Sequence, residues 1–263
     1  MYIVKIGGGK NLNLQGIISD LKNLKENFII VHGANALRDE LAEKLNKPKK
    51  VITSASGYSS VFTDDESLDI MMMAYAGLRN KRIVEMCQQV GINAIGLSGI
   101  DGKVIQGKRN IGIRVKDNGK LKIVHDFSGK PKSINTDLLN LLLDNGYIPV
   151  LSVPIIDENN FAINSENDDI VTVLKNDLNA DKIIQLIEAP GFLEDPNDPN
   201  SLVKNISKDE LERRENQVEG RMKRKILAFR KLFEKGDATI FISDGRTETP
   251  ITDAINGKGT IIK

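Results

Sequence analysis

The chain has 263 residues and is poor in the side chains that most often announce a chemistry. Its one cysteine, Cys87, excludes an internal disulfide and any cysteine-cluster metal site. A reduced, cytoplasmic setting is the default expectation that follows. Two histidines, His32 and His125, make a histidine-built metal site improbable. His32 is expected to be a packing residue at a strand end. Tryptophan is absent, which carries little functional information. An excess of one charge is missing too: 37 Lys and Arg stand against 36 Asp and Glu, a net charge of +1. Nothing global therefore favours nucleic acid or an anionic membrane. No run approaches the ~18–20 apolar residues of a spanning helix. The first strand-like run carries Lys5 and has no signal-peptide core. There is no internal repeat and no low-complexity segment.

What is present is ordinary for a globular protein, with 40% hydrophobic and 28% charged residues. The length suits one large domain or two tightly joined lobes. Short apolar strands alternate with amphipathic helices, the pattern of a parallel sheet covered on both faces. Strands are expected at Tyr2–Ile6, Phe28–His32, Ala94–Leu97, Tyr147–Ile156, Lys182–Leu186 and Thr239–Ser243. Helices are expected at Leu14–Leu24, Asn35–Leu45, Thr136–Asp144 behind Asn135, Ile170–Leu178, Arg221–Glu234 and Thr249–Asn256. Thr63 to Glu66 fits a capping box with Thr63 as N-cap, opening a long helix through Met71–Met73 to about Val90. Ser207 to Glu210 reads as a second box. Residues 102–129 have hairpin chemistry, with strands near Ile111–Val115 and Lys120–Val124.

The stretch VKIGGGK at residues 4–10 suggests a phosphate site. It fails the Walker A pattern, because Lys10 is followed by Asn11 and the glycines are adjacent. It fails the dinucleotide fingerprint as well, since no third glycine opens the helix and no acidic residue ends the next strand. What remains is Lys5 on a strand, followed by Gly7 and Gly8, whose backbone N–H groups could approach phosphate oxygens. A plain tight turn fits the glycines about as well. Gly9 and Lys10 are read as continuing the turn. His32-Gly33 ends the second strand in the same way, residues 162–169 (AINSENDD) form a carboxylate-rich turn, and residues 220–225 (GRMKRK) open a basic helix. Backbone donors, two lysines and a magnesium nucleotide together suit phosphoryl transfer.

These residues resemble the amino-acid kinase family along essentially the whole chain. The match includes VKIGG at 4–8, VHG at 31–33, NAIGLSGIDG at 93–102, GYIPVLSVP at 146–154, INxxxD at 163–168, GRMKRK at 220–225 and PITDAINGKGT at 250–260. Within the family the sequence is most similar to the acetylglutamate kinase branch, and closest to kinases of aminoadipate or glutamate carried by a LysW-type protein. The resemblance implies an α/β fold, a three-layer αβα sandwich around a mainly parallel sheet of about eight strands. It implies a single domain over residues 1–263, with an acyl-acceptor lobe at about 1–160 and a nucleotide lobe at about 161–263. It further implies a homodimer, ATP as phosphoryl donor, and Mg2+ held mainly by the nucleotide and not by protein ligands. By residue matching, Lys5 and Lys225 would stabilise the transferring phosphoryl group, with Asp168 holding both. Gly7, Gly8, Gly33, Gly191, Gly220 and Met222 would border phosphate or nucleotide. Ala34, Gly57, Val61 and Asn164 would border the acceptor.

Four departures from the branch pattern stand out. A G-x-x-S-R-x-T pattern reads Gly57 to Thr63 with Val61 in the arginine's place, so a bidentate clamp on the acceptor's distal carboxylate is missing. HGG becomes His32-Gly33-Ala34, N-x-D-G-D becomes residues 164–168 (NSEND), and S-D/N-x-x-G becomes residues 187–191 (IEAPG). Lys10, Arg38, Lys108, Arg109 and Arg114 are the sequence's choices for a substitute cation. The leading expectation is a kinase of carrier-linked aminoadipate or glutamate in lysine or arginine biosynthesis. N-acetylglutamate, a changed acceptor, or a non-catalytic nucleotide- or amino-acid-binding relative are the alternatives.

Overall fold

A computed structural model describes every residue except 56, 58, 118, 119, 196, 218 and 219, and every remaining side chain except those of 116, 117, 217 and 220–225. Eight strands form the central sheet: β1 Tyr2–Ile6, β2 Phe28–His32, β3 Ala94–Ser98, β4 Ile148–Ser152, β5 Lys182–Ile187, β6 Asn205–Ile206, β7 Thr239–Asp244 and β8 Thr260–Ile262. Their order is β6-β8-β7-β5-β1-β2-β4-β3. The pairs from β7 through β5, β1, β2 and β4 to β3 are parallel, while β8 runs antiparallel to β7 and β6 parallel to β8. One half of the sheet comes from residues 2–152 and the other from residues 182–262.

Strand pleating builds the two cores. Tyr2, Val4, Ile6 and Ile30 point to one face and Ile3, Ile29 and Val31 to the other. The first face is covered by α1 (Leu14–Leu21), by Ile83 and Cys87 of a helix ending at Gln89, and by Ile251 and Ala254 near the C-terminus. The second is covered by α6 (Asn167–Asp177) and α8 (Gly220–Phe233) among others. Ile17, Ile18 and Leu21 of α1 are fully buried, each contributing on the order of 1.5–3 kcal/mol. Asn13 starts that helix by accepting the Gly16 N–H at 3.0 Å, and Asn135 does the same for Leu138 at 3.1 Å.

The long helix after residue 63 differs from the sequence reading in two ways. Its N-cap is Asp64, which takes the Ser67 N–H at 2.9 Å, and not Thr63. Thr63 is fully buried, and its N–H points instead to Asp126, at 3.3 Å from Oδ2. The helix also changes gauge: Asp65–Met71 and Asn80–Gln89 are α-helical, but Met72–Arg79 between them is a π-helix. The hairpin in the 102–129 region is formed by Ile113–Asp117 and Lys120–Val124, two residues later than expected on its first strand. A second hairpin, Val51–Thr53 with Ser59–Val61, joins it through a bridge between Ser54 and Val115. No helix among the described residues is long and apolar enough to cross a membrane.

Candidate active site

Lys5 shares the face of Ile3, so the strand's own alternation aims it at the layer that contains α6. Its Nζ lies 2.9 Å from Oδ1 of Asp168, and the residue is 8% exposed. An ammonium buried to this degree is costly unless a carboxylate meets it. Asp168 stands in the first turn of α6 beside Asp169, where the helix dipole favours negative charge. Gln185, in register with Lys5 on the neighbouring strand, reaches the same Oδ1 from Nε2 at 3.5 Å and is 1% exposed. Sequence reasoning missed Gln185. Its signal was there: one polar residue inside the buried run KIIQLI, at the same parity as Ile183.

The glycines do less uniform work than expected. Gly7 N–H donates to the Leu186 carbonyl at 3.0 Å and Gly33 N–H to that of Ile6 at 2.9 Å. Both extend the sheet ladder, so neither N–H is free for phosphate in this conformation. Gly8 differs: among the described residues its N–H meets no acceptor. A Cβ on Gly8 would lie 2.6 Å from Asn35 N and 2.8 Å from Ala34 N, so only glycine lets β1 end against the start of α2 (Asn35–Lys44). Ala34 is the N-cap of α2 and makes no side-chain capping bond. Gly9 is more than turn filler. A Cβ there would fall 2.2 Å from the Glu188 carboxylate, which also accepts the Asn11 N–H. The altered segment at 187–191 thus places an acid directly on the glycine loop.

A cavity of about 660 Å³ opens beside Asp168, within the size range of small-molecule sites. Val61, Asn164, Glu166, Asp168 and Asp169 line it, together with Arg114. Asn164 is tied to the Val61 hairpin, because its Nδ2 donates to Thr63 Oγ1 at 3.0 Å. This bond is what Thr63 does in place of capping. Lys231, also on the wall, pairs with Asp169 at 2.9 Å. Gly57 lies in the turn of the same hairpin, exposed and with φ +86°.

The other predicted residues lie apart from this cluster or beyond the described side chains. Lys225, Gly220 and Met222 fall in α8, and their side chains are outside the described set. Gly191 is buried against Thr260, whose Oγ1 accepts the Phe192 N–H at 2.8 Å, so close packing by itself accounts for a glycine there. His32 is fully buried, near Asn80 Nδ2 at 3.2 Å, and burial holds its imidazole well below its ordinary value, at about 3. Arg79, at the end of the π-helix, extends a guanidinium to the Gly9 carbonyl at 3.4 Å.

Comparison with known proteins fits this geometry. The model of the amino acid kinase family matches residues 1–244. The chain is 37% identical to a LysW-aminoadipate kinase of Thermus thermophilus over 269 residues, covering all of both. It is 36% identical to one of Deinococcus radiodurans, covering all of this chain and 91% of that one. It is 29% identical to an acetylglutamate kinase of Methanopyrus kandleri, covering all of both. Among solved structures, N-acetylglutamate synthase from Neisseria gonorrhoeae superposes with a TM-score of 0.78 at 19% identity, over 99% of this chain and 58% of that one. A carbamate kinase from Giardia gives 0.68 at 16% identity, over 99% and 97%. At those identities the structural matches speak for the fold alone.

Proposed function

The chain belongs to the amino acid kinase family, and from that premise we propose that it transfers the γ-phosphoryl group of ATP to a carboxylate of an N-substituted glutamate or aminoadipate. A kinase acting on a carboxyl group in lysine or arginine biosynthesis is the function its relatives carry. The finer acceptor, aminoadipate or glutamate on a LysW-type carrier protein, follows the names of three of the similar relatives. The observation that carries the reading is the ion pair of buried Lys5 with half-buried Asp168 at the edge of the cavity.

In the proposed reaction a carboxylate oxygen of the acceptor forms a bond to the γ-phosphorus while the bond from that phosphorus to the bridging oxygen of ADP breaks. The products are an acyl phosphate and ADP, and no enzyme group is covalently modified. Charge spreads over the three equatorial oxygens and moves toward the bridging oxygen. Lys5, held by Asp168 and backed by Gln185, is fixed in advance as a positive charge toward that region, so little reorganisation is left for the reaction. Gly8 lets the chain pass close to the donor phosphates. Lys225 would stand opposite Lys5 from α8, and the sequence halves would divide into acceptor and nucleotide lobes. Among the described residues no cluster of three or more His, Cys, Asp or Glu forms a metal cage. Magnesium would arrive on the nucleotide phosphates, where it neutralises their charge. A homodimer is part of the same proposal.

A second reading changes the acceptor to a less anionic acid, favoured by Val61 on the cavity wall. The assay is hydroxylamine trapping of acyl phosphate from ATP with carrier-linked aminoadipate, carrier-linked glutamate, N-acetylglutamate and apolar acids in turn. Trapping with the carrier-linked acids supports the main reading and trapping with apolar acids alone supports the second. No hydroxamate from any acid ends both.

A further inference from the structure

An acceptor with two carboxylates needs one at the phosphoryl centre and a cation for the other, and residue 61 on the cavity wall is a valine. The structure sorts the five cations that the sequence offered. Arg38 is spent on its neighbour Asp39, with Nε at 2.9 Å and a terminal nitrogen at 2.6 Å from Oδ1. Arg109 lies over the Phe127 ring at 4.6 Å, and its Nε is 3.1 Å from the buried carboxylate of Asp157. Lys10 lines a different groove, with Asp39, Glu40 and Glu43. Lys108 stands in the strand Ile105–Arg109, exposed and outside the cavity lining. Arg114 alone of the five lines the cavity.

Three features make its position suitable. Arg114 belongs to the hairpin strand Ile113–Asp117, and its carbonyl accepts the Ala55 N–H at 2.7 Å, next to the Ser54–Val115 bridge. This backbone joint ties it to the same ribbon that carries Val61. Among the described residues it makes no ion pair. The cavity's other cations are Lys231, already engaged by Asp169, and Lys130. Lys130 follows Gly129, whose N–H donates to the Asn164 carbonyl at 2.9 Å, so it stands at the Asn164 side of the cavity. A guanidinium also offers two parallel N–H donors to a carboxylate, which an ammonium does not.

We propose that Arg114 is the specificity-determining residue of the acceptor site, binding the carboxylate that is not phosphorylated across the space left by Val61. The proposal rests on the carboxyl-kinase reading for its substrate class, but its test has an arm independent of turnover. The probes are N-acetyl-2-aminoadipate and N-acetylglutamate, first in hydroxamate kinetics and then in calorimetric binding to the full chain.

Arg114→Ala should raise the acceptor KM about 30-fold, the scale of one lost charge-assisted pair, with the KM for ATP unchanged. Arg114→Lys should fall between, and Lys130→Ala should stay within about threefold of wild type. Val61→Arg in the Arg114→Ala background should recover at least about tenfold of the loss. An unchanged acceptor KM in Arg114→Ala, or a larger rise in Lys130→Ala, overturns the assignment. Wild type that binds a probe in an Arg114-dependent way but yields no acyl phosphate would sink the kinase reading and leave this one standing. Turnover without dependence on Arg114 would do the reverse. Failure of both arms overturns both.

Discussion

Lys5 and Gln185 stand side by side in register on adjacent parallel strands, and both reach the same oxygen of Asp168, at 2.9 and 3.5 Å. The two contacts differ in kind: one carries charge and the other orients. Lys5→Met should lower kcat by about 10²–10³, the usual effect of deleting one preorganised donor to a developing charge. Gln185→Leu should lower it only about fivefold, matching one long hydrogen bond of ~1 kcal/mol. Steady-state kinetics of the two variants tests this order. Equal losses would mean that Gln185 does more than orient the carboxylate.

Gly8→Ala should destabilise the fold by about 1–3 kcal/mol. The new methyl would press on the backbone nitrogens of Ala34 and Asn35, at 2.8 and 2.6 Å, and neither is a flexible side chain that can turn away. Gly57→Ala meets open space but has φ +86°, so its cost is backbone strain alone, roughly 1 kcal/mol. Urea denaturation of both variants checks the order, which should be Gly8 worse than Gly57.

Acid should weaken the protein through His32. Its folded-state value is depressed to about 3 against an ordinary 6.5. Between those values the unfolded chain binds a proton that the folded chain refuses, so stability from this group is complete above about 6.5 and declines as pH falls toward 3. The slope is about 1.4 kcal/mol per pH unit once the unfolded imidazole is charged. Denaturation curves from pH 7.5 to 5 should show His32→Gln losing less stability than wild type. A variant with the same pH slope as wild type would refute it.

Cys87 should be chemically silent in the native protein. It is fully buried, and burial lifts its thiol to about 12, far from the thiolate that reacts. An aromatic disulfide reagent at pH 8 should find no thiol in the folded chain and one per chain in denaturant. Fast labelling without denaturant would contradict the packing of the α1 side of the sheet.

Much of this was readable in the sequence where local rules act alone. Strands β1 and β2 and the helix Thr136–Asp144 match their expected bounds, because continuous apolar runs and an Asn cap need no distant partner. The parallel sheet followed from the alternation of strand and helix, and the amino acid kinase fold from the resemblance of the motifs to that family. Local rules failed where long-range contacts decided. Thr63 and Asp64 are both good N-caps by type, and the bonds that take Thr63 out of the competition come from distant partners, Asn164, 101 residues away, and Asp126. Five basic residues looked equivalent along the chain until Asp39, Asp157 and the cavity told them apart. Glu188 read as a departure from a motif. Its approach to Gly9 depends on β1 and β5 being neighbours, which no short segment encodes.

The place of β1 in the sheet bears on how the molecule fluctuates. The strand that carries Lys5 is hydrogen-bonded on both edges, to β5 and to β2, and its side chains help to fill both cores. Such a strand opens only when the whole sheet does, so its amides belong to the slowest-exchanging unit. The hairpins that carry Val61 and Arg114 lie outside the central sheet and can breathe at far lower cost. On the proposed reading, acceptors would enter and leave through motions of that ribbon while the lysine keeps its geometry, and the two ends of the site would keep different clocks.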